Sequence, residues 1–294
     1  MFAIIGIVVV FGSIVAGYLM EHGNLRVLLQ PAELIIIGGA AAGTVLIANP
    51  MHILMGIVAG LSGIMGGSKY NKQWYLDALR MMYQLFGRAR RDGMMALETD
   101  SDSPDKSPVF SQFPSFLKDH HARDFVCDSI RLASSGGVEP FDADQMMDLD
   151  MTVHHHDSTQ PIAALSTTAD SLPGLGIVAA VLGVVITMGA LGGPPEEIGK
   201  KVAAALVGTF LGILMCYGLV GPLSQNMAKT ADEEHAYYNV LRVLIVSFMK
   251  GTAPSTAVEI GRRAIPGHVR PSFTETEKYI KEKAHAAEAP AATA

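Results

Sequence analysis

Four stretches of this chain carry no Asp, Glu, Lys or Arg: residues 1–20, 34–67, 171–195 and 202–228. Each rivals or exceeds the roughly 17–25 apolar residues that take a helix across a bilayer. All are too long and too rich in glycine for ordinary soluble core helices. Charge occupies only 17% of the 294 positions, where a soluble domain carries about a quarter. The reading is an all-α, polytopic membrane protein. Four transmembrane helices are expected at about 2–20, 32–49, 172–191 and 203–223, with a helical cytoplasmic domain. The start lacks the basic leader of a signal peptide and reads as a retained first helix.

The remaining segments define the layout. Residues 1–49 hold helices one and two, 50–170 a long cytoplasmic region, 171–225 helices three and four, and 226–294 a tail. Residues 51–67 are apolar but follow Pro50, and they read as an interfacial or bundle-packed helix rather than a fifth span. Of the 22 Lys and Arg residues, 10 fall in 68–170 and 9 in 229–294. With an even number of crossings, the bias of basic residues toward the cytoplasm places the long region, the tail and both termini inside. Within 72–168 an amphipathic helix is expected over 74–98, with Leu76, Leu79, Met82, Leu85 and Phe86 on one face. Two further helical stretches follow at about 112–134 and 142–168. The terminal AHAAEAPAATA is low in complexity and reads as disordered.

Several function classes are disfavoured. A net charge of −6 without a basic tract argues against nucleic acid. Cys127 and Cys216 lie in a polar and an apolar segment and do not form a plausible pair. His154, His155 and His156 cannot share one helix face and have no completing ligand nearby, so they read as solvated and not as a metal site. No phosphate loop, dinucleotide glycine signature or Ser-His-Asp arrangement has the flanking elements it needs. No cofactor and no enzymatic reaction are expected. A solute transporter should show an intramembrane acid or an internal repeat. Neither is legible, and the spans are read as free of carboxylates.

Six segments in order resemble the MotA family of flagellar stator proteins, within the wider MotA/TolQ/ExbB group. They are QPAELIIIGGA at 30–40, SKY at 68–70, RRDGMMALE at 90–98, DSLPGLGIVAAVLGVV at 170–185, VGTFLGI with YGLVGPL at 207–223, and VEIGR with VRPSF at 258–273. The match in order and spacing covers about residues 1–280. The resemblance implies an inner-membrane ring of five subunits around MotB, whose transmembrane Asp carries the ion. It also implies torque on the rotor protein FliG through Arg90 and Glu98, which the helix over 74–98 would place two turns apart.

Four further residues are implied in ion passage or its coupling. Pro173 and Pro222 are hinge elements at the cytoplasmic ends of helices three and four. Thr209 is a channel-lining hydroxyl. Ala180 stands where sodium-driven relatives tend to carry Thr, and it offers no oxygen to replace a sodium ion's water, which favours protons. Gly39/Gly43 and Gly208/Gly212 have the spacing of tight helix packing, expected between ring subunits. Tyr217 is expected at a subunit boundary. The alternative reading is a TolQ- or ExbB-like energiser of outer-membrane processes, although four spans and the 90–98 motif favour the motor.

Overall fold

A computed structural model describes residues 2–189 and 191–288, of which all the regular elements are helical. In chain order the helices are α1 Phe2–Met20, α2 Leu25–Leu28, α3 Pro31–Ala48, α4 Met51–Gly66, α5 Lys72–Asp92, α6 Met94–Asp102, α7 Pro114–Leu117 and α8 His120–Ser134. They continue with α9 Pro140–Met188, α10 Pro195–Met215, α11 Gly221–Met249, α12 Pro254–Ala264 and α13 Phe273–Glu288. A π-helical turn, Cys216–Val220, joins α10 to α11. Among the described residues four helical stretches are long and apolar enough to cross a membrane: Phe2–Met20, Leu25–Ala48, Pro140–Met188 and Pro195–Met249. The chain divides into two compact units, Met1–Ser68 with His156–Ala231, and Lys69–His155 with Asp232–Ala294.

The first, membrane unit is apolar outside as well as inside. Val8, Ile35, Ile47, Ile186 and Leu206 are all more than 60% exposed, and α1 buries no residue. A patch of that extent suits lipid or partner helices and not water. Inside, Ile37 and Ala41 of α3 meet Ala169, Leu172 and Ala179 of α9 and Cys216 of the π turn. Small residues set the approach of α9 to α10. A Cβ on Gly212 would stand 2.6 Å from the Leu172 carbonyl oxygen and 2.9 Å from Gly176 Cα. Gly208 and Gly212 therefore serve packing within the chain, whereas Gly39 and Gly43 face open space.

The short helix α4 packs inside the same unit. Its Ile64 joins Ile162, Leu165, Met227 and Ala231, and Gly56 and Gly60 receive Pro161 and Met227 where a Cβ would collide with them.

The second, polar unit owns the larger core. Leu79, Met81, Met82, Leu85 and Phe86 of α5 are fully buried against Tyr237, Leu241, Leu244 and Ile245 of α11. Phe86 stacks on Phe248 at 4.3 Å between ring centroids. Spacing at three and four residues gives α5 this buried stripe, as expected.

Three boundaries depart from the sequence reading. The helix expected over 74–98 breaks at Gly93, whose φ of 85° and ψ of 169° suit glycine alone. The stretches at 142–168 and 172–191 are one 49-residue helix, α9, with Pro161 and Pro173 inside it. Of the terminal AHAAEAPAATA, residues 284–288 belong to α13, and 289–294 lie outside the described residues.

Candidate functional site

In the membrane unit, the site is built where α3, α9 and α10 meet. Gly208 has no side chain, and neither Ala179 nor Ala180 has more than a methyl group. Into the notch they leave comes the carboxyl of Glu33, from the first turn of α3. A Cβ built on Gly208 would stand 2.6 Å from Glu33 Oε2, 3.2 Å from Ala179 Cβ and 3.3 Å from the Ala180 nitrogen. Glu33 is only 6% exposed, and its Oε2 has no hydrogen-bond partner among the described residues.

Reading the spans as free of carboxylates was therefore wrong. The second charge-free stretch begins at Leu34, one residue after Glu33, and helical spacing turns Glu33 inward with Ile37 and Ala41. An intramembrane acid was legible from that period alone.

Ala180 borders this notch and is half-buried. Thr209, next to Gly208 on α10, is half-buried as well. Pro173 lies inside α9, half-buried and next to Leu172, whose carbonyl faces Gly212. Pro222 is the second residue of α11 and exposed. Only Gly221 separates it from the π turn, where one residue more per turn displaces the helix register. Tyr217, within that turn, is 73% exposed.

In the polar unit, Arg90 ends α5 and Glu98 belongs to α6, so the two stand on separate helices. Both are exposed. The Arg90 guanidinium donates to the Gly251 carbonyl at 3.1 Å. An ion pair from Arg88 Nη1 to Asp100 Oδ1, 3.0 Å, ties α5 to α6 across the Gly93 break. Arg131 of α8 holds α6 from the other side, bonding Asp102 at 3.0 Å and the Ser101 carbonyl at 2.9 Å.

The histidines are less solvated than their sequence suggested. His156 is exposed, but His154 and His155 are half-buried. His154 Nε2 lies 3.7 Å from Glu234 Oε2, and the Tyr70 hydroxyl donates to the other oxygen, Oε1, at 3.0 Å. The His121 and Tyr238 rings pack on His154 at 4.9 and 5.1 Å. Attraction to Glu234 raises His154 above its usual range against the cost of burial. Burial pushes Glu234 upward, but His154 and Tyr70 outweigh it and hold the carboxyl below its ordinary value. Among the described residues no group of three or more His, Cys, Asp or Glu could hold a metal ion. The thiols of Cys127 and Cys216 are both free and buried.

A helical protein with four candidate spans and a buried acid among them is the class that this geometry defines. Residues 4–93 match the family described as Motility protein A N-terminal, and residues 117–239 match the MotA/TolQ/ExbB proton channel family. The chain is 38% identical to Motility protein A of Escherichia coli strain K12 over 281 residues, which are 96% of this chain and 95% of that protein. It is 32% identical to Chemotaxis protein LafT of Vibrio parahaemolyticus, over 95% of this chain and 98% of the relative.

Two solved structures share the fold. C. jejuni MotAB matches with a TM-score of 0.76 at 18% identity, covering 92% of this chain and 98% of that one. The MotAB stator complex of Bacillus subtilis matches at 0.70 and 22% identity, covering 87% and 92%. The chain belongs to the MotA family, within the MotA/TolQ/ExbB proton channel family.

Proposed function

We infer that this chain is the stator subunit of a flagellar motor. In this reading it forms a ring of five in the inner membrane around a MotB-type partner whose single span brings the essential Asp. Residues 68–170 and both termini are cytoplasmic. Proton flow between ring and partner turns the ring, and Arg90 and Glu98 pass torque to FliG. The observation that carries the reading is end-to-end similarity, 38% identity over 96% of the chain, to a protein named for motility. The match of residues 4–93 to the motility family's own N-terminal profile favours the motor over a TolQ- or ExbB-like energiser.

The structure gives the parts a physical sense. Gly93 and the Arg88–Asp100 pair fix where α6 presents Glu98. Exposed charges of this kind act singly by about 1 kcal/mol or less, so the contact would be a sum over several. Pro173 within α9 and Pro222 after the π turn are the hinge elements. Ala180 itself brings no hydroxyl to the path, where sodium-driven relatives tend to carry Thr, and this favours protons.

The test is motility. The chain, expressed with its own MotB-type partner in a cell deleted for its stator genes, should restore rotation that persists when sodium is removed. The Arg90→Glu, Glu98→Lys double variant should insert normally yet fail to swim. Swimming by that variant at the wild-type rate refutes the rotor contact. Rotation that stops without sodium and returns on its addition refutes the proton assignment.

A further inference from the structure

We propose that Glu33 is a proton-binding group within the membrane unit, a second intramembrane acid beside the one the partner brings; this rests on the channel reading above. Glu33 is more than nine-tenths buried and Oε2 has no partner among the described residues. Its target, Gly208, lies seven residues beyond Lys201, the last charged residue of α10. At 1.5 Å per residue that is about 10 Å into the apolar stretch. An ionised side chain buried at such depth is costly. A leucine would fill α3 at no such cost, so an acid held there needs a use.

The shape of the notch selects the ligand. Around the place that a Gly208 side chain would fill stand Oε2 itself, the methyl of Ala179 and the backbone nitrogen of Ala180. A metal cation requires a shell of oxygens to replace its water. One carboxyl among methyl groups does not provide that shell, but it can take and release a proton. Protonation leaves a neutral acid, and ionisation leaves a buried anion with no ion-pair partner among the described residues.

The charges on the packed elements confirm its isolation. On α10 these are Glu196, Glu197, Lys200 and Lys201, all in the first two turns, with Lys201 lying 3.7 Å from Glu197. On α9 the nearest acid is Asp170, and no charge follows it within the helix. On α2 there is Arg26. Among the described residues none forms an ion pair with Glu33.

Gain and loss of this proton therefore change the charge in the notch beside Ala180 and Thr209, the residues implied in ion passage. Glu33 would then tune the pH at which the channel conducts, rather than carry the whole flux.

The experiment uses the full chain with its partner in lipid vesicles, in wild-type, Glu33→Gln and Glu33→Asp forms. Infrared difference spectra between acidic and alkaline buffer should show a carboxyl C=O band that Glu33→Gln removes and Glu33→Asp moves. The pH profile of proton flux should lose one titration step in Glu33→Gln and keep a displaced step in Glu33→Asp, at equal levels of inserted protein. An unchanged spectrum and an unchanged profile in Glu33→Gln overturn the proposal. Wild-type vesicles without any proton flux would sink the channel reading instead, while the band would still decide for or against Glu33. Should Glu33→Gln fail to insert, Glu33→Asp decides: a carboxyl band and flux profile identical to wild type count against the proposal.

Discussion

Replacing Gly212 with alanine should push α9 and α10 apart. The new Cβ would lie 2.6 Å from the Leu172 carbonyl oxygen and 2.9 Å and 3.2 Å from Gly176 Cα and N. All three are backbone atoms, so no rotamer can make room. Ordinary contact begins near 3.4 Å, and the helices must therefore yield by roughly 0.8 Å at their crossing. Overpacking of this kind costs about 1–3 kcal/mol, and the helix preference of Ala over Gly returns about 1 kcal/mol. The net loss should be at most about 2 kcal/mol. Cys216 reports it, because it is 3% exposed in the same cluster as Leu172. In a Cys127→Ser background, the temperature at which a thiol dye labels Cys216 in detergent should fall by several degrees. Gly43→Ala, with nothing within 4 Å of the new Cβ, should keep or raise that temperature in the single chain. A Gly212→Ala protein that melts at or above wild type would show that this crossing does not depend on backbone approach.

Two other perturbations test the polar unit. Gly93→Ala forces an L residue into a φ of 85° and ψ of 169°. That should cost about 1–3 kcal/mol, read by chemical denaturation, and should weaken swimming by displacing Glu98 relative to Arg90. Wild-type stability would mean that the break can be re-formed elsewhere. The His154–Glu234 pair gives a pH dependence of known sign. His154, raised, contributes fully below its ordinary value near 6.5 and loses its contribution as pH rises through the folded value. Glu234, lowered, contributes above its ordinary value of about 4.3 and loses this as pH falls through the folded one. His154→Gln should thus cost most, about 1 kcal/mol, between these limits, with the difference closing on the alkaline side. A cost independent of pH would remove the pair as its source.

Much of the fold was legible because bilayer-length charge gaps have few alternative meanings. The four spans and the buried stripe of α5 follow from that and from the helical period. What escaped depended on single residues. Gly93 reads as a tolerated glycine inside an amphipathic run, and only its φ of 85° and ψ of 169° show that the chain turns there. Pro173 reads as a helix start or hinge, since proline removes a backbone donor. Within α9 both it and Pro161 are carried along, and Pro161 fits against Gly56, where no side chain intrudes.

Glu33 escapes a count of charge-free residues because the second such stretch begins one residue after it. Residue period places it on the buried face, but the notch that receives it needs Gly208 and Ala180, distant in sequence. The setting of His154 is hidden in the sequence for a similar reason: its partner Glu234 is eighty residues away.

The division of the chain has a consequence for how the molecule is made. The core of the polar unit draws on residues 70–151 and again on 237–280, and the last two spans are synthesised between them. At about 5–20 residues per second, roughly five to twenty seconds pass after Met151 is made before Tyr237 emerges. Throughout that interval Leu79, Met82 and Phe86, all sealed in the finished unit, lack the helix that covers them. The nascent chain must spend this time guarded or collapsed on itself, with membrane insertion of its later half proceeding before its first half can close. A ribosome stalled after the fourth span should therefore hold a chain that is inserted but still open to protease between α5 and α8.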